Sequence, residues 1–178
     1  DGEIRVHNIS SATVDLNGRT FTLNGGLLDL GNKTGNMTVT NGVLAGSGSV
    51  KIKGTGTMTL SGLTTTGFDG TFDLNSGTFV LSEVATGSFG LDIATGSVYA
   101  NSANVELSDL VINGNTVAED EYTRTELLAY GQSEYSEDWS ALVANGGGTI
   151  TVIPEPATIG MLGLGALMTL FIRRKLTV

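Results

Sequence analysis

Short runs in which apolar and small polar residues alternate are the feature that most constrains the fold of this 178-residue chain. From Glu3 to about Asn113 such runs follow one another, separated by turns that contain Gly or Asn. Alternate side chains of a strand point to opposite faces, so each run predicts a short strand with one buried and one wet face. The predicted inward pairs are Val14 and Leu16, Phe21 and Leu23, Met37 and Val39, Val50 and Ile52, Met58 and Leu60, Phe72 and Leu74, Phe79 and Leu81, and Val105 and Leu107.

Strands of about five residues can build either a β-sandwich or a β-solenoid. The turns recur with similar chemistry, and no helical pattern interrupts the runs. Aromatic residues are 6% of the chain, whereas a sandwich normally has larger aromatic core anchors. These features favour an all-β, right-handed parallel β-helix with coils of roughly 20 residues, and the sandwich is the alternative.

Residues 36–62 contain a more specific pattern of turns and strands. Within them, residues 54–62 read Gly-Thr-Gly, then a short Thr/Leu strand, then Ser-Gly. This pattern resembles the autotransporter-associated β-strand repeats of bacterial surface passenger domains. The resemblance implies a β-helical protein of the bacterial surface.

Residues 115–152 differ in composition from the repeats before them. The segment is acidic and contains three of the four Tyr and the only Trp. A solenoid must cover its open end, so we expect a cap here, with a short helix near 123–130 that begins in a capping box of Thr123 and Glu126. One more short strand follows within 145–152. The aromatic residues either pack over the open core or contact a glycan, and the candidates for glycan contact are Tyr122, Tyr130, Tyr135 and Trp139.

The last 26 residues combine three features in a fixed order. A Pro-Glu-Pro triplet (Pro154, Glu155, Pro156) is followed by an uncharged apolar stretch at 157–172 and by a basic cluster. The stretch predicts a single transmembrane helix, whose apolar residues include Ala157, Ile159, Leu162, Leu164, Leu167, Leu170, Phe171 and Ile172. The basic cluster predicts a cytoplasmic C-terminus and consists of Arg173, Arg174 and Lys175.

This arrangement closely resembles the PEP-CTERM sorting signal of bacteria that make exopolysaccharide. The resemblance implies that an exosortase, a membrane-embedded cysteine transpeptidase-like enzyme, recognises and processes the tail, and it makes exopolysaccharide a further candidate partner. We therefore expect an exported protein that is transiently anchored in the inner membrane and then reaches the cell surface or the extracellular space. The predicted domains are a β-helical body at 1–114, the cap with its last strand at 115–152, and the sorting signal at 153–178.

Export through a C-terminal signal requires that the chain first cross the membrane. The sequence begins at Asp1 and shows no N-terminal apolar segment. We therefore expect a signal peptide, and further sequence with it, upstream of Asp1 in the precursor.

Composition limits the chemistry that the body can perform. The net charge of −9 argues against nucleic acid as a partner, and the absence of Cys excludes disulfides and Cys-based catalysis. His7 is the only histidine, so a His-rich metal site cannot form, and no cofactor or metal is predicted. The remaining candidates are charged residues of the strands: Asp15, Asp29, Lys51, Lys53, Asp69, Asp73 and Asp92.

Two functions remain for the body. The first is a non-enzymatic surface or extracellular-matrix protein, in which these charges keep the wet face solvated and prevent strand edges from associating. The alternative is a carbohydrate-active or glycan-binding β-helix carried by the same signal. Three aligned carboxylates on adjacent coils would favour an enzyme, and exposed coplanar aromatic rings would favour glycan binding.

Overall fold

The computed structural model describes residues 3–5, 11–82, 89–144 and 146–153, and within them the protein is mostly β. The helical part is α1 (Arg124–Tyr130), continued by one π-helical segment (Gly131–Tyr135). The strands are β1 (Glu3–Arg5), β2 (Ser11–Asp15), β3 (Thr20–Lys33), β4 (Asn36–Gly54), β5 (Thr57–Phe68), β6 (Thr71–Leu74), β7 (Gly77–Ser82), β8 (Phe89–Ile93), β9 (Ser97–Asn101), β10 (Val105–Ile112), β11 (Asn115–Thr116), β12 (Glu121–Tyr122) and β13 (Ile150–Val152).

The strands form a β-solenoid of about 4 turns. Successive coils pair in parallel, and the register places Met37 beside Met58 and Met58 beside Phe79, so one coil takes 21 residues along this column. Parallel pairing between coils is the pattern of a solenoid and not of two face-packed antiparallel sheets. The prediction of a β-solenoid is confirmed, and the sandwich alternative is wrong.

Several strands are much longer than the five residues expected from the sequence. β4 has 19 residues and β3 has 14, because the hydrogen-bonded ladder continues around the corners of the coil. At one such corner the backbone enters the left-handed region, with φ of 57° at Asn41 and 62° at Gly62 on the next coil. Asn and Gly are the residues that adopt this conformation most readily, so a corner can form without ending the strand.

The core consists of apolar columns that run along the solenoid axis. Phe72 lies at the centre of an aromatic group, with ring centroids 5.4 Å from Phe68, 5.0 Å from Phe79 and 5.1 Å from Phe89. Most of the predicted inward residues are buried or packed against this core. Val14 is the exception and is 42% exposed, because it lies at the end of its column on β2.

β9 carries two buried polar residues, Ser97 and Asn101. Ser97 is fully buried and donates to the carbonyl oxygen of Leu74 at 2.9 Å. Asn101 follows Leu60 and Leu81 in register and is 4% exposed. Its amide nitrogen donates to the carbonyl oxygens of Ala103 (2.9 Å) and Thr149 (3.1 Å). The buried amide therefore has hydrogen-bond partners and closes its column.

Two columns of glycine permit neighbouring coils to approach closely at the corners. A Cβ atom on Gly48 would overlap the carbonyl oxygen of Gly26, and one on Gly70 would overlap that of Gly48. At a second corner a Cβ atom on Gly56 would overlap the carbonyl oxygen of Gly35. These contacts explain why the residues are glycine, since any side chain would displace the backbone of the adjacent coil.

We predict that Gly56→Ala lowers the free energy of unfolding by about 1–3 kcal/mol, because the added methyl group is forced into the backbone of the preceding coil. Gly67→Ala is the matched control, since the nearest neighbour of its new Cβ would be the Ala45 Cβ at an ordinary 3.5 Å. The control should change stability by less than about 1 kcal/mol. Thermal unfolding followed by circular dichroism measures both, and equal stability of the two variants would contradict the proposed packing.

Within the described ranges, no helix has the length and apolarity needed to cross a bilayer. The predicted transmembrane segment at 157–172 lies outside those ranges.

Candidate functional site at the carboxyl end of the solenoid

The carboxyl end of the solenoid is covered by a helical cap, and its first element begins as the sequence predicts. The Thr123 backbone N–H donates to Glu126 Oε2 at 2.8 Å, and the Glu126 N–H donates to Thr123 Oγ1 at 3.3 Å. These two bonds form the predicted capping box at the start of α1. The hydrogen bonds from Thr123 also lower the pKa of Glu126.

The four aromatic residues singled out as glycan-contact candidates form one cluster in the cap. Ring centroids are 5.6 Å apart for Tyr122 and Tyr130, and 5.8 Å apart for Tyr135 and Trp139. Tyr122 is 7% exposed and Trp139 is 1% exposed. The rings are tilted or edge-on to one another, and this arrangement is typical of aromatic packing over a core. Glycan contact by these residues stays a prediction.

The polar atoms of the tyrosines bind the backbone around them. The Tyr122 hydroxyl donates to the carbonyl oxygen of Ala118 at 3.1 Å, and the Tyr135 hydroxyl donates to that of Thr116 at 2.5 Å. The Tyr130 hydroxyl accepts from the Ala118 N–H at 3.1 Å. The cluster therefore holds the segment that leads from β11 to β12 in place.

Glu137 connects the cap to the last coil. Its Oε2 accepts from the Trp139 indole Nε1 at 3.0 Å and from Asn113 Nδ2 at 3.0 Å. These bonds favour the ionised carboxylate and lower the pKa of Glu137, with the Asn113 bond as the largest cause. Asn113 belongs to the Asn-Gly turn between β10 and β11 and also contacts the Thr95 hydroxyl.

An open cleft of about 650 Å³ lies between the turn before β9 and the loop that carries Glu137. Its walls combine carboxylate and amide groups with apolar side chains. The residues that line it are Thr95, Gly96, Ser97, Val98, Asn113, Glu137, Asp138, Trp139, Ala141 and Leu142.

A ladder of charged residues runs along the outer surface of the sheet formed by β3, β4, β6 and β8. The register aligns Asp29, Lys51, Asp73 and Asp92 on successive coils. Lys51 Nζ lies 3.9 Å from Asp73 Oδ2. Asp92 has a raised pKa, first because of partial burial and then because of repulsion by Asp73 and Asp109. Among the described residues, no group of three or more carboxylates or histidines could hold a metal ion.

Asp29 is less solvated than expected for a wet-face charge, since it is only 7% exposed. It lies between β1 and β4, where Lys53 Nζ is 3.6 Å from its Oδ2. Its neighbours on β1 and β4 are distant in the chain, so the local alternation of residues did not predict this burial.

The last described strand, β13, is fixed on both edges. It pairs in parallel with β10 and antiparallel with β12. The Val152 N–H donates to the Asp120 carbonyl oxygen at 2.8 Å, and the Ile153 N–H donates to the Leu107 carbonyl oxygen at 2.8 Å. Ile150 and Val152 are 3% and 4% exposed. The chain is therefore part of the folded body up to Ile153.

Comparison with protein families identifies the segment that follows. The model of the PEP-CTERM protein-sorting motif matches residues 152–175. This motif implies an exported protein that an exosortase processes and that is sorted to the cell envelope. The resemblance of residues 36–62 to autotransporter-associated repeats is not supported by the comparison. Comparison with curated proteins and with solved structures gives no match.

Several predicted site residues lie outside the described ranges. They are the sorting triplet Pro154, Glu155 and Pro156, the apolar residues of 157–172, the basic residues Arg173, Arg174 and Lys175, and His7. Their roles in anchoring and processing stay predictions.

We predict that acid loosens the cap through Glu137. Because its pKa is lowered in the folded state, Glu137 contributes stability above its unfolded pKa, and this contribution is lost as pH falls through the folded pKa. Glu137→Gln should therefore be less stable than the parent protein near pH 7, and the difference should shrink towards pH 3. Fluorescence of Trp139, the only tryptophan, reports cap unfolding across this range.

Glu119→Gln, at an exposed position elsewhere in the cap, is the control for replacing a carboxylate by an amide. The pKa of Asp92 is raised, so its effect on stability has the opposite pH dependence. The stability that Asp92 contributes is lost as pH rises through its folded-state pKa. A difference for Glu137→Gln that is constant from pH 7 to pH 3 would contradict the role of its ionised carboxylate.

Proposed function

We propose that this chain is a non-enzymatic protein of the cell surface or extracellular matrix, exported and then processed by an exosortase through its C-terminal signal. The observation that carries the proposal is the sorting motif at 152–175, joined directly to a β-solenoid. The motif supports export and processing, and the solenoid supports a structural role for the part that is delivered.

The body has the physical properties of a rigid, acidic spacer. Each coil contacts its neighbours through a continuous parallel ladder, so the solenoid resists bending and extends in one direction. The net charge of −9 makes such particles repel one another and keeps them soluble outside the cell. We also expect right-handed winding, which parallel crossover connections strongly favour.

Delivery through the tail involves a membrane stage. We propose that residues 157–172 cross the inner membrane as one helix and that Arg173, Arg174 and Lys175 hold its end in the cytoplasm. The exosortase is the expected partner at this stage. Exopolysaccharide is a candidate partner after release, because the sorting signal resembles that of bacteria which make it.

Replacement of Pro154, Glu155 and Pro156 together by Ala should leave membrane insertion intact and abolish processing. The apolar stretch and basic cluster determine insertion, whereas the triplet is the expected recognition element. The measurement follows membrane-bound and released protein by intact mass in a host with and without the exosortase. Thr158→Ala, which lies in the same tail, is the matched control and should be processed normally. Release of the triple variant at the parent rate would refute the proposed sorting role.

A carbohydrate-active enzyme is the second candidate, and the alignment of Asp73 with Asp92 on adjacent coils favours it. Many glycoside hydrolases use two neighbouring carboxyl groups, one of which has a raised pKa, and the pKa of Asp92 is raised. Here one member of the pair is engaged by Lys51, which favours the structural role of the ladder.

We predict that the purified protein releases neither reducing ends nor unsaturated products from a panel of acidic and neutral polysaccharides. Product formation by the parent protein that is lost in Asp92→Asn would decide for the enzyme. The control is Asp69→Asn, a substitution of an exposed aspartate outside the aligned pair.

A further inference from the structure

The fold of the body constrains where the chain can be cut, and the sorting motif alone does not show this constraint. The match to the motif begins at Val152, and Val152 is also the last residue of β13. The body and the signal therefore overlap. In the sequence, only Ile153 separates the last strand from the Pro-Glu-Pro triplet.

Backbone hydrogen bonds engage both edges of this strand. The Val152 N–H donates to the carbonyl oxygen of Asp120, the residue before β12. The Ile153 N–H donates to the carbonyl oxygen of Leu107 in β10. The carbonyl oxygen of Thr149 accepts from the Val105 N–H at 3.0 Å. A processing enzyme commonly binds its substrate as an extended strand through these same main-chain groups, which are already occupied here.

Side-chain burial adds to the protection of the strand. Ile150 and Val152 point into the core between the last coil and the cap, and each is at most 4% exposed. Opening β13 would expose both side chains to water and would break the hydrogen bonds at the same time. The hydrogen-bonded and buried part of the described chain therefore extends to Ile153, and β13 is closed to an enzyme that meets the folded protein.

We propose that the folded cap sets the upstream limit of cleavage, so that the mature protein retains β13 and Ile153 and ends at residue 153 or later. This inference rests on the proposed function, since it assumes that an exosortase cuts the chain. It adds that the solenoid lies directly against the enzyme during the reaction and restricts where and how fast the enzyme can cut.

The first experiment determines the C-terminal residue of the released protein. The full-length chain is produced in a host that contains its exosortase, and the released product is analysed by intact mass and C-terminal peptide sequencing. An end at residue 153 or later supports the inference, and an end at 152 or earlier overturns it. If nothing is released in this host, the proposed sorting function fails, and the inference fails with it.

The second experiment tests whether the body crowds the enzyme. A flexible Gly/Ser linker of about six residues after Ile153 places the folded body roughly 15 Å further from the signal. The control carries the same linker after Gly18, in an exposed turn at the other end of the solenoid. Trp139 fluorescence and circular dichroism show whether both variants are folded.

Release of the Ile153 variant should be faster than that of the Gly18 variant by about tenfold, which corresponds to about 1.4 kcal/mol. Its cut should move downstream with the signal, so that the product also contains linker residues. Equal release rates for the two folded variants would overturn the claim that the body restricts the enzyme, while a normal cut in both would leave the sorting function intact.

Discussion

The in-register parallel hydrogen bonding between successive coils is the interaction on which the rest of the structure depends. It fixes the distance between coils, so that side chains at equivalent positions stack directly on one another. The aromatic group around Phe72 is one result, since the rings of Phe68 and Phe72 pack on those of Phe79 and Phe89, which belong to the next coil. The charged ladder on the outer surface is another, because the same register aligns Lys51 with Asp73.

The same spacing imposes a requirement on the corners. Where the chain turns from one side of the solenoid to the next, backbones of adjacent coils approach too closely for a side chain. Glycine occupies these places, at Gly26, Gly48 and Gly70 in one column and at Gly35 and Gly56 in another. Part of the glycine content of this chain is therefore required by the close approach of neighbouring coils.

Local patterns predicted the face that a residue occupies but not its long-range pairing. Phe72 and Leu74 were predicted inside because alternation alone decides the side of a strand, and the capping box of Thr123 and Glu126 is equally local. The separation of 22 residues between Gly26, Gly48 and Gly70 was available in the sequence and would have indicated the coil length. The neighbours of Asp29 on β1 and β4 are distant in the chain, and the continuity of β4 depends on neighbouring coils, so neither the burial nor the continuity could be derived from short windows.

The same contrast between local patterns and long-range pairing applies to the candidate site. The order of triplet, apolar stretch and basic cluster is visible in the sequence, because it is a contiguous signal read by another protein. Its direct attachment to the fold was not visible, since β13 acquires its position from β10 and β12, which are distant in the chain. Asn101 was also missed, because an amide in a run of alternating residues is normally assigned to the wet face, and its two carbonyl acceptors become apparent only in three dimensions.

Asn101 ties three strands of the carboxyl end together through one side chain. One of its acceptors is the carbonyl oxygen of Thr149, the residue immediately before β13, and the other belongs to Ala103, which leads into β10. The amide reaches both groups from position 101 on β9, which the pairing of β7 with β9 places inside the coil. The start of the final strand is therefore tied by a side chain to the coil beneath it, so the part of the chain that precedes the signal depends on the packing of β9 for its position.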